Sequence, residues 1–550
     1  MADPPPRSRP RALESADVSQ APPEELDALV IGAGITGIYQ LYSLLGIGLD
    51  ARIYEAADGV GGTWFWNRYP GARLDSESWA YAYSFSDELL QEWEWSENFV
   101  GQPELERYLN FVVDRFELRP RIRLNARVRS AHWNEETRRW EVETEDGHRA
   151  HARFVIAATG LLSANYVPDI AGIDSFAGES FHTSRWPREP VDFAGKRVGV
   201  IGTGSTGVQV IPEVAKECAH LTVFQRTPNY CMPLRNSPIE AERQRELKEN
   251  IHAVFEQCRR NFGGFIHDAD PRKTFEVSPE ERQAFYEDLW GRPGFAKWFG
   301  NFRDLMLNPE ANELYCEFVR DKIRERVKDP EVAEKLCPKD QHFGAKRIPM
   351  ETNYYEAYNR DNVLLVDVKE HPIERITPRG VKTDEAEYEL DILIYATGFD
   401  AFTGEVTRMD VRGVGGLSIQ EHWADGATMY MGLQTHGFPN FFMENGTVFC
   451  NFTRCAEATV EFVTECIAWL REQGYQRIEA DPEAEARWCQ TTQAFIDEMP
   501  LKSKGVRSWL DGSNVPGKPN AGLVYGGGLV GYTKICEEVA AKGYEGFRIA

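Results

Sequence analysis

Two stretches of this 550-residue chain could hold nucleotide phosphates. In the first, Gly32, Gly34 and Gly37 stand in GAGITG, spaced GxGxxG, directly after the apolar run LDALVI. In the second, Gly202, Gly204 and Gly207 stand in GTGSTG after KRVGVI. Glycines at this spacing permit a tight strand-to-helix turn and let backbone N–H groups approach a pyrophosphate at the helix N-terminus. One such loop is weak evidence. Here both loops have a strand pattern before them and an apolar helix pattern after them. The residue closing the next strand differs between the two. RIYE ends on Glu55, 18 residues past Gly37, where a carboxylate accepts ribose hydroxyls and repels a 2′-phosphate. That suits FAD or NAD and not NADP. LTVFQRT puts Arg226, followed by Thr227, in the corresponding slot, 19 residues past Gly207. A guanidinium there favours a 2′-phosphate, hence NADP. The chain reads as a two-nucleotide enzyme.

Such loops need strands and helices to carry them. The whole unit recurs, because each glycine loop leads to a later strand ending in Ala-Thr-Gly: FVIAATG closes at Gly160 and ILIYATG at Gly398. From Gly32 to Gly160 is 128 residues and from Gly202 to Gly398 is 196, so the second unit holds at least 68 more. Glu240 to Pro338 supplies them, charged and helix-patterned as in EERQAFYEDLW and CEFVRDKIRERV. It reads as a helical insertion that lids or walls a site, or that serves packing alone. The expected fold class is α/β, with two Rossmann-like dinucleotide-binding domains (FAD and NADP) and the helical insertion. The expected partition is a disordered tail at 1–25, an FAD-binding domain from 26–163 and 397–550, an NADP-binding domain from 164–235 and 339–396, and the insertion at 236–338. Amphipathic helices are expected near Asp87–Trp95 and Pro103–Phe116. A β meander follows from Arg121, turning at Asp146-Gly147.

Composition narrows the classes. The formal net charge of −24 disfavours nucleic acid as a partner. No apolar run reaches the roughly 18 residues of a membrane span, and the Pro/Arg/Ala-rich start lacks the apolar centre of a secretory signal. The ten cysteines form no CxxC pair, so neither a metal site nor a dithiol redox motif is expected. Reduced thiols in a cytoplasm and a monomeric state are the expectation.

Further segments carry a family resemblance. Gly61 to Asp75, GGTWFWNRYPGARLD, sets four aromatics, a proline and two arginines in a short loop suited to a flat ring. Phe176, Gly178, His182, Trp186 and Pro187 match FxGxxxHxxxWP, and Lys346-Arg347 closes GAKR. Together with the two glycine loops these resemble the Baeyer–Villiger monooxygenases, flavoenzymes that insert oxygen beside a ketone. The likeness runs from Leu26 to Phe547 and leans toward the phenylacetone and steroid monooxygenase branch. Related N-hydroxylating and flavin-containing monooxygenases usually carry another residue where Trp186 stands.

The resemblance implies an enzyme that uses FAD, NADPH and O2 to turn ketones into esters or lactones through a C4a-peroxyflavin, and that also oxidises sulfides. The alternative is an N- or S-hydroxylating flavin monooxygenase. It further implies that Arg347 is catalytic, stabilising the peroxide and the oxyanion that follows, and that Asp75 pairs with it. FAD contacts are expected from Gly32, Gly34, Gly37, Glu55, Thr63, Trp64, Trp66, Asp75 and Tyr81. NADP contacts are expected from Arg73, Gly202, Thr203, Gly204, Ser205, Thr206, Gly207, Gln209, Arg226, Thr227, Lys346 and Arg347, and from Trp509 on a mobile loop. For His182 a structural or interdomain role is the expectation. ENGTVFCNFTRC departs from relatives that have a longer Gly/Pro/Ser-rich stretch at the ketone pocket, so no particular ketone carries over. Bulky residues around Phe442, Phe449 and Phe452 point to an apolar substrate.

Overall fold

The structure, a computed structural model, describes residues 22–498, 508–509, 512–519 and 521–550. Residues 1–21 of the expected tail lie outside the described residues. Strand β1 begins at Glu24, two residues inside the stretch read as tail.

The first sheet forms around β1 (Glu24–Ile31), whose last four residues are all buried. Such continuous burial is what a parallel strand covered on both faces requires. β1 is followed by helix α1 (Ile35–Gly46) and β2 (Ala51–Tyr54). The sheet continues with β3 (Ile122–Arg123), β4 (Val128–Asn134), β5 (Arg139–Thr144) and β6 (Arg149–Ala157). β1 pairs in parallel with β2 and β6, with Ala28 opposite Ala51 and Phe154. β6 also pairs antiparallel with β5, and β5 with β4, around the turn at Gly147.

The second sheet is wholly parallel. It contains β7 (Glu179–His182), β8 (Arg197–Ile201), β9 (His220–Gln225), β10 (Val363–Asp367) and β11 (Ile392–Tyr395), in the order β10-β9-β8-β11-β7. Helix α2 (Ser205–Glu217) joins β8 to β9. The chain then returns to the first sheet. Strands β12 (Asp410–Arg412) and β13 (Phe441–Met443) add to β4 and β6. Helix α6 (Phe452–Gln473) packs on α1, where Gln40 donates to the Thr464 hydroxyl at 3.0 Å.

The insertion consists chiefly of α3 (Ala241–Arg260), α4 (Pro279–Gly291) and α5 (Pro309–Arg326). It is not a separate appendage. Tyr315, Phe318, Val319 and Trp298 share one buried cluster with Val198, Val200 and Ile394 of the second sheet. Among the described residues, no helix is long and apolar enough to cross a membrane.

Two linkers join the sheets and cross side by side. Tyr166 N–H donates to Gly398 O at 2.9 Å and Asp400 N–H to Ala164 O at 2.8 Å. His182, at the end of β7, sits against this crossing. Its Nδ1 accepts the Ser184 N–H at 3.1 Å and its Nε2 lies 3.4 Å from the Thr397 hydroxyl. Burial drives the imidazole down to about 4, so it is neutral near pH 7.

The insertion is held by an ion network. Arg326, at the end of α5, reaches Glu351 at 2.7 Å and Glu356 at 2.7 Å. The Glu351 side chain is fully buried, so it has no water to fall back on. Removing one partner of a buried pair strands the other charge and costs about 3–5 kcal/mol. Arg326→Met is therefore expected to lower the thermal midpoint by several degrees, read by scanning calorimetry. An unchanged midpoint would show that Glu351 needs no counter-charge.

Candidate active site

The first glycine loop forms a cradle because each glycine meets a different obstacle. Gly32 has φ +106°, and a Cβ on it would lie 2.7 Å from Ala158 O. A Cβ on Gly37 would lie 1.9 Å from Gly32 O, so this glycine packs α1 against its own loop. A Cβ on Gly34 would be 3.6 Å from Gly62, which keeps the approach to α1 clear. The N-terminus of α1 carries no side-chain cap and no acid in its first turn. Its N–H groups and positive dipole end are left for an anion. Glu55 closes the far side. It is 5% exposed, and its carboxylate accepts from Ala33 N–H at 2.6 Å and Ala57 N–H at 2.8 Å. Burial raises its pKa, and the two N–H donors oppose the shift. Thr63, Trp64, Trp66, Asp75 and Tyr81 line the same cavity, and Trp64 Nε1–H donates to the Tyr81 hydroxyl at 3.2 Å.

The second loop repeats the geometry. Gly202 has φ +108° and a Cβ would lie 2.5 Å from Ala396 O. A Cβ on Gly207 would lie 2.3 Å from Gly202 O, while one on Gly204 would meet nothing within 4 Å. Helix α2 likewise starts without a cap or an acid. Thr203, Ser205, Thr206, Gln209, Arg226, Thr227 and Lys346 line this end. Arg226 is exposed and Lys346 half-buried. Burial first, then the charges of Arg226 and Lys369, push the Lys346 ammonium down to about 8.

Both cradles open into one continuous cavity of about 760 Å³. Between them Arg347 Nη1 donates to Asp75 Oδ2 at 2.6 Å. Asp75 is 5% exposed, and the same oxygen lies 3.4 Å from Met350 N–H. Arg347 also approaches the Ser205 hydroxyl at 3.4 Å and stands 5.6 Å from the Phe295 ring. The pair joins the two halves, because Asp75 comes from the first-sheet side and Arg347 from the second. Gln209 ties the halves again, accepting from the Tyr69 hydroxyl at 2.7 Å and donating to Arg73 O at 3.2 Å.

Several expectations need correction. Gly37 and Gly207 do not line the cavity; they are small so that each helix can close on its loop. Phe442 does not face it either. It lies on β13 paired with Ile156 and is wholly buried in the core, while its neighbours in sequence Phe449 and Phe452 do line the cavity. Trp509 lines it and packs on Phe402 at 5.7 Å. Asn514 and Lys518 pin the following residues to the linker through Phe399 O and Asp400. Residues 499–507 and 510–511 of the loop read as mobile lie outside the described residues. Cys450 and Cys455 stand side by side in the cavity wall, with Cα atoms 6.2 Å apart, and eight cysteines are free.

Other wall residues were not anticipated. Phe265, Phe295 and Trp298 come from the insertion. The signal was the aromatic run GFAKWFG inside otherwise polar helices, which a core would also explain. Arg185 stacks on Trp66 at 4.4 Å and neighbours Glu405. It lies inside the FxGxxxHxxxWP segment, directly before Trp186, at a position which that pattern leaves open.

Comparison with known proteins gives consistent matches. Residues 27–237 match the family described as flavin-binding monooxygenase-like. The chain is 48% identical over 541 residues to a 2-oxo-Δ3-4,5,5-trimethylcyclopentenylacetyl-CoA monooxygenase of Pseudomonas putida, covering 96% of this chain and 98% of the relative. It is 44% identical over 528 residues to a Baeyer–Villiger monooxygenase of Pseudooceanicola batsensis, covering 94% and 95%. A crystal structure of OTEMO in complex with FAD and NADP superposes with a TM-score of 0.91 at 48% identity, covering 96% of this chain and 99% of that one.

The glycine geometry gives a discriminating prediction. Gly204→Ala should fold and retain FAD, because the new methyl meets no protein atom, yet raise the KM for NADPH roughly tenfold by blocking pyrophosphate approach. Gly207→Ala must displace the Gly202 carbonyl and should lose about 1–3 kcal/mol of stability. Thermal unfolding and steady-state kinetics on both variants check this. An unchanged KM in Gly204→Ala would remove the second loop from the nicotinamide nucleotide site.

Proposed function

This chain belongs to the Baeyer–Villiger monooxygenases, within the flavin-binding monooxygenase-like family, and on that footing we propose how its residues divide the work. The protein is an FAD-containing, NADPH- and O2-dependent monooxygenase that converts ketones to esters or lactones. FAD is assigned to the loop that ends at Glu55, and NADPH to the loop that ends at Arg226. The fit is supported by the two uncapped helix N-termini, by the glycines that leave room for a pyrophosphate, and by opposite charge at the two ribose positions.

When bound, FAD would pass the two electrons of NADPH to O2, so that one oxygen atom of O2 enters the ketone and the other leaves as water. The protein's own part is to hold charge and exclude water. The observation that carries the catalytic assignment is the Arg347–Asp75 contact of 2.6 Å between the two cradles. A guanidinium keeps its charge across the working pH range and offers fixed donors. Arg347 is proposed to stabilise the negative charge that develops on the substrate's carbonyl oxygen. Asp75 orients it. Phe295, Trp298 and Phe449 form an apolar wall beside it, which favours an apolar ketone and keeps water out. The free cysteines support a cytoplasmic setting. N- or S-oxidation of a soft nucleophile would use the same cradles but needs no fixed cation, so Arg347 separates the two readings.

Arg347→Ala should leave flavin reduction by NADPH in place and abolish ester formation, a loss of roughly 100-fold or more. Stopped-flow reduction and product mass together check it. Persisting ester product would overturn the role. Lys346 gives a second test. A 2′-phosphate favours its charged form, so the complex holds the proton to higher pH than the free protein does. The KM for NADPH should be flat below about 8 and climb above it, by up to about tenfold per unit. In Lys346→Met the KM should be raised at pH 7 and the climb lost. Parallel pH profiles for the two proteins would exclude Lys346 from that site.

A further inference from the structure

Away from the cavity, three side chains from three segments converge on the outside of the flavin half. His422 ends the short helix Ile419–His422, and His436 lies in the loop before β13. Glu485 stands in the first turn of helix α7 (Pro482–Glu498). One ligand atom from each lies within 4.8 Å of the other two. The imidazole rings meet edge to face, with centroids 4.4 Å apart. Glu485 is 2% exposed. One of its oxygens lies 2.5 Å from His436 Nδ1 and accepts the His436 backbone N–H at 2.9 Å. The other accepts the Thr435 hydroxyl at 2.8 Å, and that hydroxyl faces His422 Nε2 at 2.9 Å.

The charge balance here is unusual. A buried carboxylate is ordinarily paired with a full positive charge. Among the described residues no lysine or arginine ion-pairs with Glu485, and its one ionisable partner is the His436 imidazole. Three separate backbone segments nevertheless hold two imidazoles and this carboxylate together.

We propose that His422, His436 and Glu485 form a binding site for a divalent cation of the zinc class. Two imidazoles and one carboxylate suit Zn²⁺ and leave a fourth position for water, whereas calcium and magnesium prefer oxygen ligands. Zinc bonds of about 2.0–2.2 Å set tetrahedral ligand atoms roughly 3.3–3.5 Å apart. Side-chain rotations close the present spacing to that value, and the bond between His436 Nδ1 and Glu485 opens to admit the ion. Thr435 remains on the second carboxylate oxygen and orients it. None of the three ligands lines the cavity, so the site is distinct from the oxygenation chemistry. Helix α7 precedes the segment that returns to the cavity at Trp509. A bound ion would fasten the start of that helix to the flavin half.

The test uses untagged, FAD-loaded enzyme stripped with a chelator and titrated with zinc chloride. One zinc per chain should be retained after desalting. His422→Gln and His436→Gln should each weaken binding roughly 100-fold or more, while bound flavin and ketone turnover show that the variants are folded. Site mapping on the wild type keeps the test decisive should a variant not fold: zinc should protect His422 and His436 from diethylpyrocarbonate, read by peptide mass. No stoichiometric zinc on the wild type, zinc uptake undiminished in the double variant, or unprotected histidines would overturn the proposal.

Discussion

The contact between Arg347 and Asp75 is the constraint on which the rest of the architecture turns. It places a cation, its side chain about a third exposed, in a chamber walled by Phe295, Trp298 and Phe449. Asp75, 5% exposed, supplies the compensating charge. The two residues belong to different halves of the molecule, so the pair is at once an electrostatic feature and a fixing point between domains. Tyr69, Gln209 and Arg73 add a second tie beside it. A domain shift that separated these groups would leave Asp75 buried without a partner, which the energetics of buried charge oppose.

The crossing linkers set the other end of that geometry. His182 matters here through its neutrality. With burial driving its pKa to about 4, Nδ1 is free to accept the Ser184 N–H and Nε2–H to face the Thr397 hydroxyl, which itself donates to Tyr166 O at 2.6 Å. A charged imidazole would lose the acceptor and break the chain of bonds. The histidine of the FxGxxxHxxxWP segment thus locks the two strands that connect the halves, and Trp186 packs behind it on Phe181 and Phe193. Its place in the fold is against the crossing linkers, outside the lining of the cavity.

What could be read from the sequence follows from which residues have no substitute. Gly32 and Gly202 adopt φ values that side chains rarely take and press on Ala158 and Ala396 carbonyls, so the loops, the Ala-Thr-Gly strand ends and the repeat were all visible in the letters. Residues whose role depends on direction were not. Phe442 and Phe449 are equally bulky and seven positions apart, yet one is core and the other wall, because β13 aims the first into the flavin half's core. Phe295 and Trp298 face the chamber only because the insertion shares its core with the second sheet. Lys346-Arg347 reads locally as a surface pair. Resemblance, and not spacing, distinguished it. The Glu485 cluster left no trace, since its members lie 14 and 49 residues apart in sequence.

The two glycine-loop units combine one backbone device with two different strand ends. The turn, the uncapped helix and the pressed carbonyl are the same in both, so none of them can discriminate. In the proposed assignment, discrimination falls to the strand end. Glu55 is buried and already satisfied by the Ala33 and Ala57 N–H groups, which keeps its acceptor oxygens in place for ribose hydroxyls and makes a phosphate there unfavourable. The second unit uses the opposite strategy. There burial first, then the charges of Arg226 and Lys369, disfavours Lys346 as a cation. A cluster of like charges gains most from the ligand that relieves it, and a 2′-phosphate brings nearly two negative charges where a ribose hydroxyl brings none. In the proposed assignment, such a ligand gains from attraction and also from relieving a cation that burial disfavours.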